Sequence, residues 1–289
     1  MIYENIELTR QVATAHWGWT IAFFLWFVGL GGMTLVLNAF AKSRHLFFAA
    51  TAAIVVGTLL VVSHLARLLN LPFAAINALL EWKFNFGSWM FIGICILAVT
   101  CVVTVVQAWF WWKGSRAADS KGMLFIDAVL GFASTAYSGF LLTQAVGVPL
   151  WTTAVLPVLW VFSGLSSAVG LMEVERLCPK SDTKDITWLG HVAHLAHWGE
   201  AFVLFAFVSV AFSGTPAAVA GAESLVSGDN AALFWSGAVG IGIIVPILVS
   251  WFAHGSKQMG AIAGLCAILG ALALRASVLF AGAFDPVIF

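Results

Sequence analysis

From Ala128 to Met172 the chain carries no charged side chain. In water so long an apolar run would be an aggregation liability, whereas a lipid bilayer requires such runs. A helix crosses about 30 Å of hydrocarbon in about 20 residues, so this run is too long for one crossing. Gly147-Val148-Pro149 interrupts it where a tight turn is needed, and two antiparallel spans are the economical solution. The same criterion applied along the chain gives eight spans, near 17–41, 46–69, 88–112, 122–146, 150–172, 188–212, 231–253 and 258–282. The expectation is an all-α membrane protein, one integral domain over 1–289, with its helices arranged as two four-helix bundles. Glu173 to Thr187 and Ser213 to Asn230 are the long polar connections, and neither is large enough to fold separately.

Charged residues make up 9% of the chain, against roughly 25% in an average soluble domain. Lys+Arg and Asp+Glu both total 13, which removes any whole-chain electrostatic reason to bind nucleic acid. The cysteines, Cys95, Cys101, Cys178 and Cys266, are scattered singly, so no C-x-x-C pair is there to hold zinc, an iron–sulfur cluster or covalent haem. Glu4, Glu7 and Arg10 stand where a cleavable leader would be basic, and the first apolar run is expected to persist as a helix.

Orientation follows from the basic residues of the short loops. Lys42, Arg44, Lys113, Arg116, Lys121, Arg176, Lys180, Lys184 and Lys257 share one side; Arg10, Arg67 and Lys83 are on the other. That bias puts both termini outside.

A charge near the bilayer centre costs about +2.5 to +3.5 kcal/mol on insertion scales, so polar residues inside spans tend to line cavities, relays or ligand sites. Toward the outer face lie His16, His64, Arg67, Ser88, Tyr137 and Gln144. A phenol and an imidazole at similar depth suit the two carbonyls of a quinone, and either can carry its protons. Two readings of these residues stay open: ligand site, or interfacial anchors (His16, Trp17) and a helix-to-helix hydrogen bond (Tyr137).

Toward the inner face lie Asp127, Glu173, Glu175, His191, His194, His197 and Glu200. The four on the sixth span recur every third residue and so spiral around half the helix, which fits a climbing polar chain better than one metal centre. A proton path through Asp127, His194, His197, Glu200 and Arg275 is one reading. The other leaves His191 and His194 in the headgroup region, with His197 and Glu200 alone buried. Arg275, the deepest permanent cation, requires an acceptor partner, with a structural ion pair as the simplest one. A b-type haem needs paired histidines on facing helices, and His64 has only His16 near its depth.

Several segments resemble one family. Ala136-Tyr137-Ser138-Gly139-Phe140-Leu141-Leu142 is similar to the G-Y-x-G-x-L-L signature of the polysulfide reductase NrfD-like membrane anchors, with Ala136 in place of the usual Gly. The stretch from Pro157 to Ser167 resembles their L-P-x-L-F-x-x-S-x-x-S-x-G segment, with Trp160 where Phe is usual. Asn85-Phe86-Gly87-Ser88-Trp89-Met90 and His16-Trp17-Gly18-Trp19, followed by Gly29-Leu30-Gly31-Gly32, resemble the family's entries to the third and first helices.

The resemblance implies a haem-free, metal-free, multi-pass subunit of the prokaryotic cytoplasmic membrane. It implies electron exchange between menaquinone or ubiquinone and an iron–sulfur subunit on the outer, periplasmic face, where a molybdopterin catalytic subunit is also expected. The family's first-helix histidine and fourth-helix tyrosine match His16 and Tyr137, with Trp17, His64, Arg67, Ser88 and Gln144 as candidate lining of the quinone pocket. The rivals are a secondary transporter, for which Gly29, Gly31 and Gly32 would permit a kink, and a purely structural anchor.

Overall fold

The computed structural model describes residues 15, 17–63, 76, 80–82, 86–115, 118–178, 187–252 and 256–284. Eight helical segments in it are long and apolar enough to cross a membrane. They are α1 (Trp19–Ala41), α2 (Arg44–Ser63), α3 (Trp89–Trp112), α4 (Lys121–Thr143), α5 (Val155–Glu175), α6 (Leu189–Phe212), a two-part seventh span and α9 (Lys257–Phe280). A shorter helix, α7 (Pro216–Val226), precedes the seventh span, which winds as a π-helix over Leu233–Ile244 and continues as α8 (Val245–Phe252).

Helix starts follow ordinary capping chemistry. The hydroxyls of Ser88, Ser120 and Ser256 accept the N–H groups of Phe91, Met123 and Met259, closing the first turns of α3, α4 and α9. Thr215 does the same for α7, with Pro216 at the first helical position. This helix lies inside the 213–230 segment, which the sequence reading treats as a connection. α5 begins at Val155, later than the expected 150, because hydrogen-bonded turns occupy Val148 to Thr153.

The helices pack as two bundles. α1, α2, α3 and α4 form one ring, each against its neighbours; α5, α6, the seventh span and α9 form the other. The rings join where α1 meets α5 and α9 and where α4 meets α5. Lipid-immersed helices gain little from apolar burial against one another, so close backbone approach matters more than in water. Gly32 and Gly131 supply it between α1 and α4: a Cβ on either would overlap the other's carbonyl oxygen. Gly170 and Gly264 repeat the arrangement between α5 and α9.

Hydropathy alone predicts an ordinary helix for the seventh span, and the structure departs from it. Gly237, Gly240 and Gly242 remove side chains from its wide turns, and Gly242 closes directly on Gly270 of α9. Pro246 then supplies no N–H to the preceding turn, so the usual i to i−4 ladder cannot run through it.

Both ends of the helical array meet. Ala15 N–H donates to the Gly282 carbonyl at 3.0 Å, Trp17 packs on Trp151 at 5.1 Å between ring centres, and Trp151 Nε1 donates to Val278 O at 2.9 Å. The chain thus enters α1 and leaves α9 at the same end of the molecule, as an even number of crossings requires.

Candidate functional site

Tyr137 sits six residues beyond Gly131, about 9 Å along α4 from the α1 crossing, toward the end where α1 begins. Its side chain is buried, at 3% exposure, in the same apolar core as Ala15, with Trp17 packed against that core. The ring lies against the α3 backbone at Gly93. Its hydroxyl forms no hydrogen bond with any described residue. One turn of α4 away, Phe140 stacks on Trp89 of α3 at 4.5 Å with 10° between planes. On the other side, the Thr100 and Ser134 hydroxyls meet at 3.1 Å. These two contacts bracket the tyrosine and fix the register of α3 on α4.

The other outer-face candidates divide. Ser88 uses its hydroxyl as the α3 cap, and Gln144 is exposed at the C-terminal end of α4. Trp17 is half-buried on Trp151. His16, His64 and Arg67 lie outside the described residues.

The inner-face candidates fall into separate places rather than one file. Asp127, at 1% exposure, accepts from Gln107 Nε2 at 2.7 Å, and the same nitrogen donates to the Ala118 carbonyl at 2.8 Å. This amide ties α3, the following loop and α4 together; sequence reasoning misses it, although a lone glutamine inside an apolar span is its signal. Glu175 is also buried and accepts from the Ser43 hydroxyl at 2.6 Å, fastening the α1–α2 corner to the end of α5.

On α6, His191 is exposed, His194 half-buried, and His197 and Glu200 buried. Glu200 faces the hydroxyls of Ser163 and Ser166 on α5 and feels the Arg275 guanidinium on α9, without closing a well-aligned bond to Ser166. Arg275 is fully buried. It donates to Ser163 Oγ at 2.9 Å, to Ala271 O at 3.1 Å and to Trp160 O at 3.3 Å, and lies over the Trp160 ring at 5.4 Å. Its partners are thus mainly a hydroxyl and carbonyls, with Glu200 acting through space. Gly29 is the floor of this site, because a Cβ there would overlap Arg275 Nη2. α4 and α6 share no extensive contact, which separates Asp127 from the Glu200 cluster.

Two features bear on ligands. Among the described residues, no three His, Cys, Asp or Glu side chains gather as metal ligands. A cleft of about 430 Å³ opens between α6 and the seventh span, lined by aliphatic and aromatic side chains such as Trp198, Phe205, Phe234 and Ile247. Its walls are almost wholly apolar.

The likeness to known proteins extends over nearly the whole sequence. Residues 7–285 match the family described as Polysulphide reductase, NrfD. The protein is 27% identical to Protein NrfD of Escherichia coli (strain K12) over 92% of its own length and 94% of that relative. It is likewise 27% identical to the C subunit of polysulfide reductase from Wolinella succinogenes, over 94% of its own length and 96% of the relative. A further relative, the NrfD homolog of Haemophilus influenzae, is 22% identical over 92% of this sequence and 94% of that protein.

Proposed function

The chain belongs to the polysulphide reductase NrfD family, and from that premise we propose that it is the quinone-reactive membrane subunit of a respiratory oxidoreductase. The substrate is a menaquinone or ubiquinone, bound among α1 to α4 near the face where the chain begins. The partners are an iron–sulfur subunit and a molybdopterin catalytic subunit on that face, outside the cytoplasmic membrane.

One observation carries the reading. The Tyr137 ring is buried while its hydroxyl makes no hydrogen bond to a described residue, so the O–H is free to donate to a ligand, and a quinone carbonyl is an acceptor of the right kind. Quinol oxidation releases two protons and two electrons. In the proposed site His16 takes the proton from one oxygen of the ring, while the Tyr137 hydroxyl orients the other, whose proton is released to water at the same face. The electrons leave to the iron–sulfur cluster of the proposed partner subunit. Trp89, Leu97 and Leu142 belong to or pack on the same apolar core as Tyr137 and give the ring an apolar setting.

The transporter reading loses its sequence support. α1 runs unbroken from Trp19 to Ala41, and Gly29, Gly31 and Gly32 are used for packing against Arg275, Ile54 and Gly131 rather than for a break. The test compares His16→Ala and Tyr137→Phe in the assembled complex. Quinol-linked turnover should fall at least about tenfold in each, as expected for loss of an acid–base or orienting group, while assembly persists. Unchanged turnover in both would leave a purely structural anchor.

A further inference from the structure

We infer that Gly93 is a positioning residue for Tyr137, a notch in α3 that fixes the depth and direction of the phenol; the inference rests on the quinone reading above. Trp89, Gly93 and Leu97 are spaced by four, so they line one face of α3, and Trp89 and Leu97 both pack in the core that holds Tyr137. Between them the notch is filled by the tyrosine itself: a Cβ on Gly93 would overlap the ring carbons Cζ and Cε2 and the hydroxyl oxygen. No residue with a side chain fits at 93 while the ring stays where it is.

The ring has little freedom to yield. Ser134, three residues before it, is held to Thr100, and Phe140, three residues after it, is stacked on Trp89. α4 therefore cannot slide along α3 to make room. A methyl at 93 has to turn the tyrosine side chain about its own bonds, and the hydroxyl at the tip moves furthest. Displacing an orienting group by about 1 Å can cost up to about a hundredfold in rate.

The experiment uses the purified complex and a short-chain quinone analogue, with binding followed by quenching of tryptophan fluorescence and quinol-linked turnover measured in parallel. Gly93→Ala should weaken binding and lower turnover by roughly ten- to a hundredfold, like Tyr137→Phe. Activity with an artificial donor that feeds the partner subunits directly should be unchanged. Combining Gly93→Ala with Tyr137→Phe should add no further loss, because both remove the same hydroxyl contact. Normal binding in Gly93→Ala, with Tyr137→Phe impaired, overturns the positioning role and leaves the quinone site standing. Normal binding in Tyr137→Phe overturns both. Should Gly93→Ala fail to assemble, it is combined with Tyr137→Ser, which empties the notch. Restored assembly supports the collision, and continued failure overturns it.

Discussion

Gly29→Ala probes the link between the two bundles where it is tightest. The new Cβ would overlap Arg275 Nη2 and stand 3.2 Å from Cζ and 3.5 Å from Nε, whereas carbon contacts settle near 3.5 to 4.0 Å. The guanidinium must withdraw by on the order of 1 Å. Its Nη2 bond to Trp160 O is already 3.3 Å and breaks first; the Nη1 bonds to Ser163 and Ala271, at 2.9 and 3.1 Å, lengthen next. Hydrogen bonds to charged groups contribute about 1.5 to 3 kcal/mol each. Losing one or two, against about 1 kcal/mol regained from replacing a helical glycine, gives a net cost of about 0.5 to 5 kcal/mol. Thermal unfolding of the purified chain in detergent, followed by tryptophan fluorescence, reads it directly. Gly18→Ala is the control, since nothing lies within 4 Å of that position. In an Arg275→Met background the alanine meets no guanidinium, so Gly29→Ala should then be neutral or stabilising. The reasoning is refuted if Gly29→Ala unfolds together with Gly18→Ala, or costs the same in both backgrounds.

Two other measurements follow from the geometry. Gln107→Leu should destabilise by about 2 to 4 kcal/mol, because it strands the buried Asp127 carboxyl and the Ala118 carbonyl together. The pair Gln107→Leu with Asp127→Leu should recover much of that, and simple additivity would refute the tether. Cys178 is exposed just beyond α5, at the end of the bundle opposite Ala15. A membrane-impermeant maleimide should label it only in inverted vesicles, and labelling in intact cells would reverse the proposed orientation.

The spans and their pairing into two bundles are legible because hydropathy and backbone satisfaction leave a bilayer helix few alternatives. The π-helical part of the seventh span is not. Its apolar run looks the same at either winding, and only the glycines before Pro246 hint at it. α7 hides in a segment of small residues, although Thr215-Pro216 is a helix-start pair. Tyr137 stands out as a phenol within an uncharged run. Gly93 does not, since glycines are frequent in membrane helices and its use shows only when α3 is placed against α4. Gly29 is legible as a glycine but not as the floor under Arg275, because that requires knowing which face of α9 meets α1.

α1 is the most enclosed of the eight spans, touching helices of both bundles, and it is also the first of them to be synthesised. It must therefore wait in lipid, with its glycine face bare, until partners from the far end of the chain arrive. The side of Gly29 is completed only by Arg275 in the last span. Biogenesis cannot be a stepwise accretion onto a finished core. A chain interrupted before its eighth crossing leaves the oldest helix open, giving quality-control proteases a clear mark of incompleteness.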